Sequence, residues 1–315
     1  MITMVGFPPP ASKLYFNWEG GIKKNGDKFI IVEDLNDTIL KTADCYYQTN
    51  ELKPKFFHNG RDSWHGNYML HIQNSKKPYI VSESEPFREF KGWLRFGWNS
   101  YRWDDANWNN DDVGSERWNR FEKITGIKFK DWKSPGSNIL IMGQKEGDSS
   151  LFKMYKMGYK SLYDWIYDQI LTIRKFSDRP IIIRPHPRNL DRGVKMVKNL
   201  LRDKKTLKDV KISENLSRGG NQGGDGLEND FMQAYCVVTY NSLSGIEAVT
   251  RGIPVFALDG GSMVHPVAHK DLSQIEKLNY SIDLQDWKNK IAYSMWNKDD
   301  VQSGHCWAHL KPVYF

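Results

Sequence analysis

The sequence predicts an α/β protein built on parallel, doubly wound sheet, and three observations carry that prediction. From residue 138 onward, short apolar runs alternate with longer amphipathic stretches. The runs "NILIMG", "RPIIIRPHP" and "CVVTY" are near-continuous rather than alternating, as strands covered on both faces must be. Each of them leads into polar, loop-forming residues, where ligands bind in open sheets of this class.

The elements follow in order. "MITMVGFPPPASKLYF" reads as a short strand and a Pro-rich loop, and "KFIIVED" (28–34) and "KPYIVSESE" (77–85) read as strands. The polar, aromatic stretch "FFHNGRDSWHGNYML" lies between those two strands. "FREFKGWLRFGWNSYRWDDANWNNDD" has no clean period and reads as an ordered functional loop or an irregular helix pair. "KSPGS" (133–137) marks a boundary between an N-terminal domain, 1–135, and a more regular one, 136–285. After the strand at 138–143, Leu162, Trp165, Ile166, Ile170 and Ile173 take helical spacing. Then come the strand "RPIIIRPHP", the helix "LDRGVKMVKNLLRD", the strand "DVKIS" and the helix "ENDFMQAY" running into "CVVTY". A helix opening near Ser244, the strand "IPVFAL" and a strand-like "YSI" complete the alternation. "RGGNQGGDG" (218–226) is too polar and Gly-rich to pack and reads as a mobile loop. Residues 286–315 read as one or two amphipathic helices.

Bulk properties narrow the function classes. Of 315 residues, 39% are hydrophobic and 26% charged, a globular composition. No apolar run approaches membrane-spanning length and no secretory signal pattern is visible, which argues against both fates. Cys45, Cys236 and Cys306 are far apart and odd in number, so neither a disulfide framework nor a cysteine zinc site is indicated, and a cytoplasmic setting suits them. The formal net charge of +7 favours an anionic partner, nucleic acid or nucleotide.

Three strand ends carry candidate chemistry. In "IIIRPHPR", Arg184, His186 and Arg188 alternate where Pro185 and Pro187 end the strand, and guanidinium forks with an imidazole suit phosphate. The plainer reading is a cluster of surface charges. In "TYNSLSGIEAVTRGIPVFAL", Ser242 and Ser244 precede a helix whose free N–H groups could face an anion. Gly245 would allow close approach, and Glu247 could accept from a ribose hydroxyl pair. The plainer reading is a capped helix whose Glu247 complements the dipole. In "LIMGQKEGDSS", Gln144 and Lys145 follow a strand, or simply make a turn. Together the three ends describe a cleft for a nucleotide diphosphate.

These residues carry a resemblance. "RPHPR" followed about fifty residues later by "TYNSLSGIEAVTRGIPVFAL" resembles the donor half of GT-B-type glycosyltransferases, distantly including the capsular Kdo transferases. With "VSESEPFR", "WLRFGWNSY", "ILIMGQKEGDSSL" and "IAYSMWNKDDVQSGHCWAHL", the pattern is similar to glycosyltransferases of tailed phages, over most of residues 78–310. Some of these are linked to glycosylation, including arabinosylation, of hydroxymethylated cytosine in phage DNA.

The resemblance implies an α/β GT-B fold: two Rossmann-like domains facing a cleft, with C-terminal helices returning to the N-terminal domain. It implies a nucleotide-sugar donor, a UDP-sugar carrying glucose or arabinose, in the second domain and the acceptor in the first. Basic side chains and a helix N-terminus would take the leaving diphosphate's charge, so no metal and no further cofactor is expected. "WDDANWNNDD" is acidic but lacks the strand context of a metal triplet. An inverting reaction needs a general base. Glu83 and Glu85 follow the strand "PYIVS", Asp104 lies in the aromatic segment, and Asp62 and His65 are further candidates. A double-stranded DNA acceptor would be served by the interleaved Arg88, Trp93, Arg95, Trp98, Tyr101, Arg102 and Trp103, provided they line a groove. The expected place of action is then the host cell cytoplasm, with no membrane partner. Two alternatives stand beside this: a transferase building a capsular or surface saccharide, and a non-catalytic nucleic-acid-binding protein.

Overall fold

Two separate sheets organise the chain. The computed structural model describes residues 1–7, 16–49, 64–204, 207–216 and 224–315. They fall into one unit of Met1–Thr125 with Gln285–Phe315 and a second of Gly126–Leu284. Most of the Pro-rich loop after the first strand, Asp62, the side chain of His65 and most of the Gly-rich loop expected at 218–226 lie outside the described residues.

The first unit begins with β1 (Thr3–Gly6), α1 (Glu19–Lys24), β2 (Lys28–Ile31), α2 (Ile39–Thr42), β3 (Cys45–Thr49), α3 (Trp64–Ser75), β4 (Tyr79–Glu83), β5 (Leu94–Trp98) and α4 (Glu116–Thr125). The order β5-β4-β3-β1-β2 places four parallel strands together, with β5 antiparallel to β4. β3 and β5 are fully buried aromatic strands that lack a half-exposed alternation. Tyr46 joins Phe7, Tyr68 and Ile72 on one face, while Tyr47 joins Trp18, Phe96 and Trp98 on the other. Within the Trp- and Asn-rich stretch, Leu94–Trp98 is a core strand, while the residues on either side of it are turns and irregular loop, with no helix pair.

The second unit holds β6 (Asn138–Met142), α5 (Phe152–Lys156), α6 (Leu162–Ile173), β7 (Ile181–Arg184), α7 (Leu190–Asp203), β8 (Val210–Ile212), α8 (Gly224–Met232), β9 (Ala234–Thr239), α9 (Ser244–Thr250) and β10 (Val255–Ala257). All five strands are parallel, in the order β10-β9-β6-β7-β8. The long helical run is broken by Gly158, whose φ of 100° ends the first turn-pair, and Ser161 restarts it by accepting from Asp164 N at 3.1 Å. Residues 280–282 do not form the expected strand, and Ile282 instead offers its carbonyl to Trp132 Nε1 at 2.9 Å. Residues 126–135 pack with this second unit rather than the first. Lys130 N bonds Thr250 O at 3.0 Å and Lys133 N bonds Gly252 O at 2.8 Å. Gly252, at a φ of 71°, is needed there because a Cβ would lie 2.1 Å from Asp131 O.

The chain then returns to the first unit through α10 (Gln285–Ala292), β11 (Met295–Trp296), α11 (Lys298–Ser303) and α12 (His305–Leu310), with β11 antiparallel to β5. Buried Asp300 completes a capping box with Asn297 and pairs with Arg117 and Arg120. Asp27 fastens the end of the chain. Its carboxylate accepts from Ile2 N at 2.7 Å, Trp307 Nε1 at 2.8 Å and Lys311 Nζ at 2.7 Å.

Burial alone would raise the Asp27 pKa, but those donors and the Lys311 charge hold it below the ordinary carboxylate range. A lowered pKa gives stability that is complete above the unfolded value of about 3.9 and is lost as pH falls through the folded one. Asp27→Asn is expected to cost about 1–3 kcal/mol at pH 7. The gap from the parent should narrow as the pH falls below the unfolded value of about 3.9. Urea unfolding at pH 7 and below that value checks this, and a gap independent of pH would contradict it.

Candidate functional site

The strand order of the second sheet reverses between β6 and β9, and the register brings the carboxyl ends level. Met142 lies opposite both Arg184 and Thr239, and Thr239 opposite Ala257. Ligands of doubly wound sheets bind beyond such an edge.

Two amides bridge the reversal. Gln144 donates from Nε2 to Asn241 Oδ1 at 2.7 Å and accepts from Asn241 N at 3.1 Å. Asn241 donates its remaining hydrogens to Ser150 O at 2.9 Å and Asp259 Oδ2 at 2.6 Å. Gln144 was anticipated as a site residue, whereas Asn241 was not. Its only sequence signal is an Asn one residue beyond a strand-end Tyr, which matches many turns.

The turn that opens α9 is closed on itself. Ser242 Oγ accepts from Ser244 N at 3.3 Å and Ser244 Oγ at 2.9 Å, while Gly245 N and Ile246 N bond Ser242 O and Leu243 O. Ser242, Ser244 and Glu247 are all buried. The close approach at Gly245 is made by the protein, since a Cβ there would lie 2.8 Å from Val264 Cγ2. The first-turn N–H groups expected to cradle a phosphate bond within the chain here. Glu247 lies on the same buried helix, its carbonyl accepting from Arg251 Nη1 at 3.0 Å.

Arg184 is likewise engaged within the unit. Its guanidinium turns inward, pairs with Asp230, and donates to Asn215 O at 3.1 Å and Gly226 O at 3.2 Å. Ser213 Oγ and Asn215 Nδ2 also bond Asp230. At 3% exposure, this arginine fastens the loop after β8.

What stays open lies at the ends of β6 and β7. Lys145 and Arg188 are exposed, as is Arg192 in the first turn of α7, and His186 is half-buried. His186 Nδ1 accepts from Arg188 N at 3.2 Å, so the ring's proton sits on Nε2. Gln144, Glu146, Tyr163, His186, Arg192 and Gly193 surround a narrow notch here. Of the acidic groups nearby, Glu146 is held by Leu162 N at 3.0 Å and Tyr155 Oη at 2.7 Å, and Asp191 is exposed. Arg192 was missed because it sits four residues past the quoted motif, inside an evident helix.

The three carboxylate candidates belong to the first unit. Glu85 Oε1 accepts from Gly92 N at 3.0 Å and so pins a turn whose Gly92 has a φ of 83°. Asp104 lies 3.6 Å from the buried guanidinium of Arg102, which Asp105 also contacts at 2.9 Å. Glu83 ends β4, half-buried, with Oε1 accepting from Ser84 N at 2.7 Å. Buried Arg95 links the two segments, donating to Ser84 O at 2.9 Å and Tyr101 O at 3.2 Å. The expected stacking groove is not present as such. Trp93, Arg95, Trp98, Tyr101 and Arg102 are each at most 6% exposed and fill the core, with Trp98 Nε1 bonded to Leu310 O at 2.8 Å.

Among the described residues, no group of three or more His, Cys, Asp or Glu side chains could hold a metal, and no helix is long and apolar enough to cross a membrane.

Fold and site together define an α/β protein with two doubly wound sheets and a basic strand-end edge on the second. No protein-family model matches the chain, and no curated protein matches it. Among solved structures it is similar to KpsC, a beta Kdo 2,7 transferase of Thermosulfurimonas dismutans, at 13% identity and a TM-score of 0.49. The match covers 100% of this chain and 99% of that one. A likeness of that degree assigns neither family nor activity.

Proposed function

We propose that the chain is a glycosyltransferase of GT-B type that holds a nucleotide-sugar, a UDP-sugar, at the carboxyl edge of β6 and β7. The observation that carries this is the basic rim of Lys145, His186, Arg188 and Arg192, set beside the strand-order reversal of a parallel sheet. The cations Lys145, Arg188 and Arg192 at such an edge, with the His186 N–H, would take the charge that develops on a leaving diphosphate, with no metal called for. Support also comes from the resemblance of "IIIRPHPR" and "TYNSLSGIEAVTRGIPVFAL" to donor-binding segments. In this reading the first unit takes the acceptor, and Glu83 is its general base.

The double variant His186→Ala/Arg188→Ala is expected to weaken UDP binding by about tenfold to a hundredfold, the range for losing charge-assisted hydrogen bonds. Calorimetric titration checks this, and unchanged affinity would remove the rim from the site.

For the acceptor, the phage resemblance and the net charge of +7 favour hydroxymethylcytosine in DNA. Burial of the Arg and Trp side chains between 93 and 102 favours a surface or capsular saccharide instead, because stacking on extruded bases needs exposed rings. Offering hydroxymethylated DNA and saccharide acceptors with the same UDP-sugar decides by which one gains mass. Salt-sensitive DNA binding with no transfer from any donor would leave the non-catalytic reading.

A further inference from the structure

We propose that the Tyr163 hydroxyl is a ligand-binding donor, poised in the notch between β6 and β7 to take one phosphoryl oxygen. The inference rests on reading this edge as a nucleotide site. Tyr163 lies in the first turn of α6 and is 5% exposed, yet its hydroxyl makes no hydrogen bond among the described residues. The ring is buried while the hydroxyl opens onto the notch, so a donor without a protein partner stands where an external acceptor can reach it.

The surroundings keep that hydroxyl available. Glu146, the carboxylate whose charge acts on it, already accepts from Leu162 N and Tyr155 Oη. On α7, Gly193 leaves the space beside the hydroxyl clear, because a Cβ there would come within 2.8 Å of both Tyr163 Oη and Pro185 Cβ. His186 keeps its proton on Nε2, and Arg192 brings a cation to the same notch. The free space is about 10 Å³, which admits a single oxygen atom and nothing larger. A hydroxyl, an imidazole N–H and a guanidinium around room for one oxygen describe a recess for an anionic oxygen whose parent group sits outside, at the rim. Burial first, with the Glu146 charge adding and Arg192 opposing, holds the phenol well above the ordinary tyrosine range, so it remains a donor at neutral pH.

The test titrates the full chain with UDP and, separately, with inorganic pyrophosphate, comparing the parent with Tyr163→Phe and recording thermal unfolding of both. The expected result is an unchanged melting temperature with both ligands bound about tenfold to a hundredfold more weakly by the variant. Equal affinities in parent and variant would overturn the inference and leave the notch as a seat for water. A marked fall in melting temperature would overturn it too, by showing that the hydroxyl serves the fold. If the parent binds pyrophosphate but no UDP or UDP-sugar, the nucleotide reading fails and the pyrophosphate comparison alone judges Tyr163. If the parent binds neither ligand, both readings fall.

Discussion

Replacing Arg184 with alanine is expected to destabilise the second unit by about 3–5 kcal/mol, because it leaves a buried carboxylate without its counter-ion. Asp230 is 5% exposed and organises Arg184, Ser213 and Asn215 around itself. The variant strands that charge together with the carbonyls of Asn215 and Gly226. For a unit of this size the loss corresponds to a fall in melting temperature of roughly 6–20 °C. Arg184→Met with Asp230→Leu should recover much of it, since replacing both partners removes the unpaired charge. Differential scanning calorimetry on the parent and the two variants checks the account. A stable Arg184→Ala protein with selectively weakened UDP binding would show instead that the guanidinium faces ligand.

Glu83→Gln is expected to lower turnover by about a hundredfold to ten-thousandfold, the range for removing a general base, while UDP affinity stays as in the parent. Glu85→Gln should do far less, because the amide oxygen can still accept from Gly92 N. Asp104→Asn weakens an exposed contact to Arg102, which keeps Asp105 at 2.9 Å. Glu83 is the one of the three that ends a strand, at the carboxyl end of β4. Steady-state kinetics with one donor and one acceptor rank the three. Full turnover in both Glu83→Gln and Glu85→Gln would move the assignment to Asp104.

The second sheet was legible because parallel strands buried on both faces must be continuously apolar, and "NILIMG", "IIIRP" and "CVVTY" have no other comfortable home. The first sheet was half hidden for the opposite reason. Its β3, "CYYQT", and β5, "LRFGW", bury tyrosine, tryptophan and arginine, residue types that read as surface function when met in sequence. Tertiary pairing overrode that impression: Arg95 is buried because two carbonyls from different segments need a donor, not because a ligand does. The site divides along the same line. His186, Arg188 and Lys145 do follow strand ends, but a pattern cannot say where a side chain spends its hydrogen bonds. Arg184 and the Ser242–Gly245 turn find their partners inside the protein, one 46 residues along the chain and the other two.

The account stands most directly on where a diphosphate binds. A crystal structure of the full chain soaked with UDP is expected to show the two phosphates against Lys145, His186, Arg188 and Arg192, with one oxygen reaching Tyr163 Oη. Phosphates held at the start of α9, on Ser242 and Ser244, or placed on the first unit would contradict it.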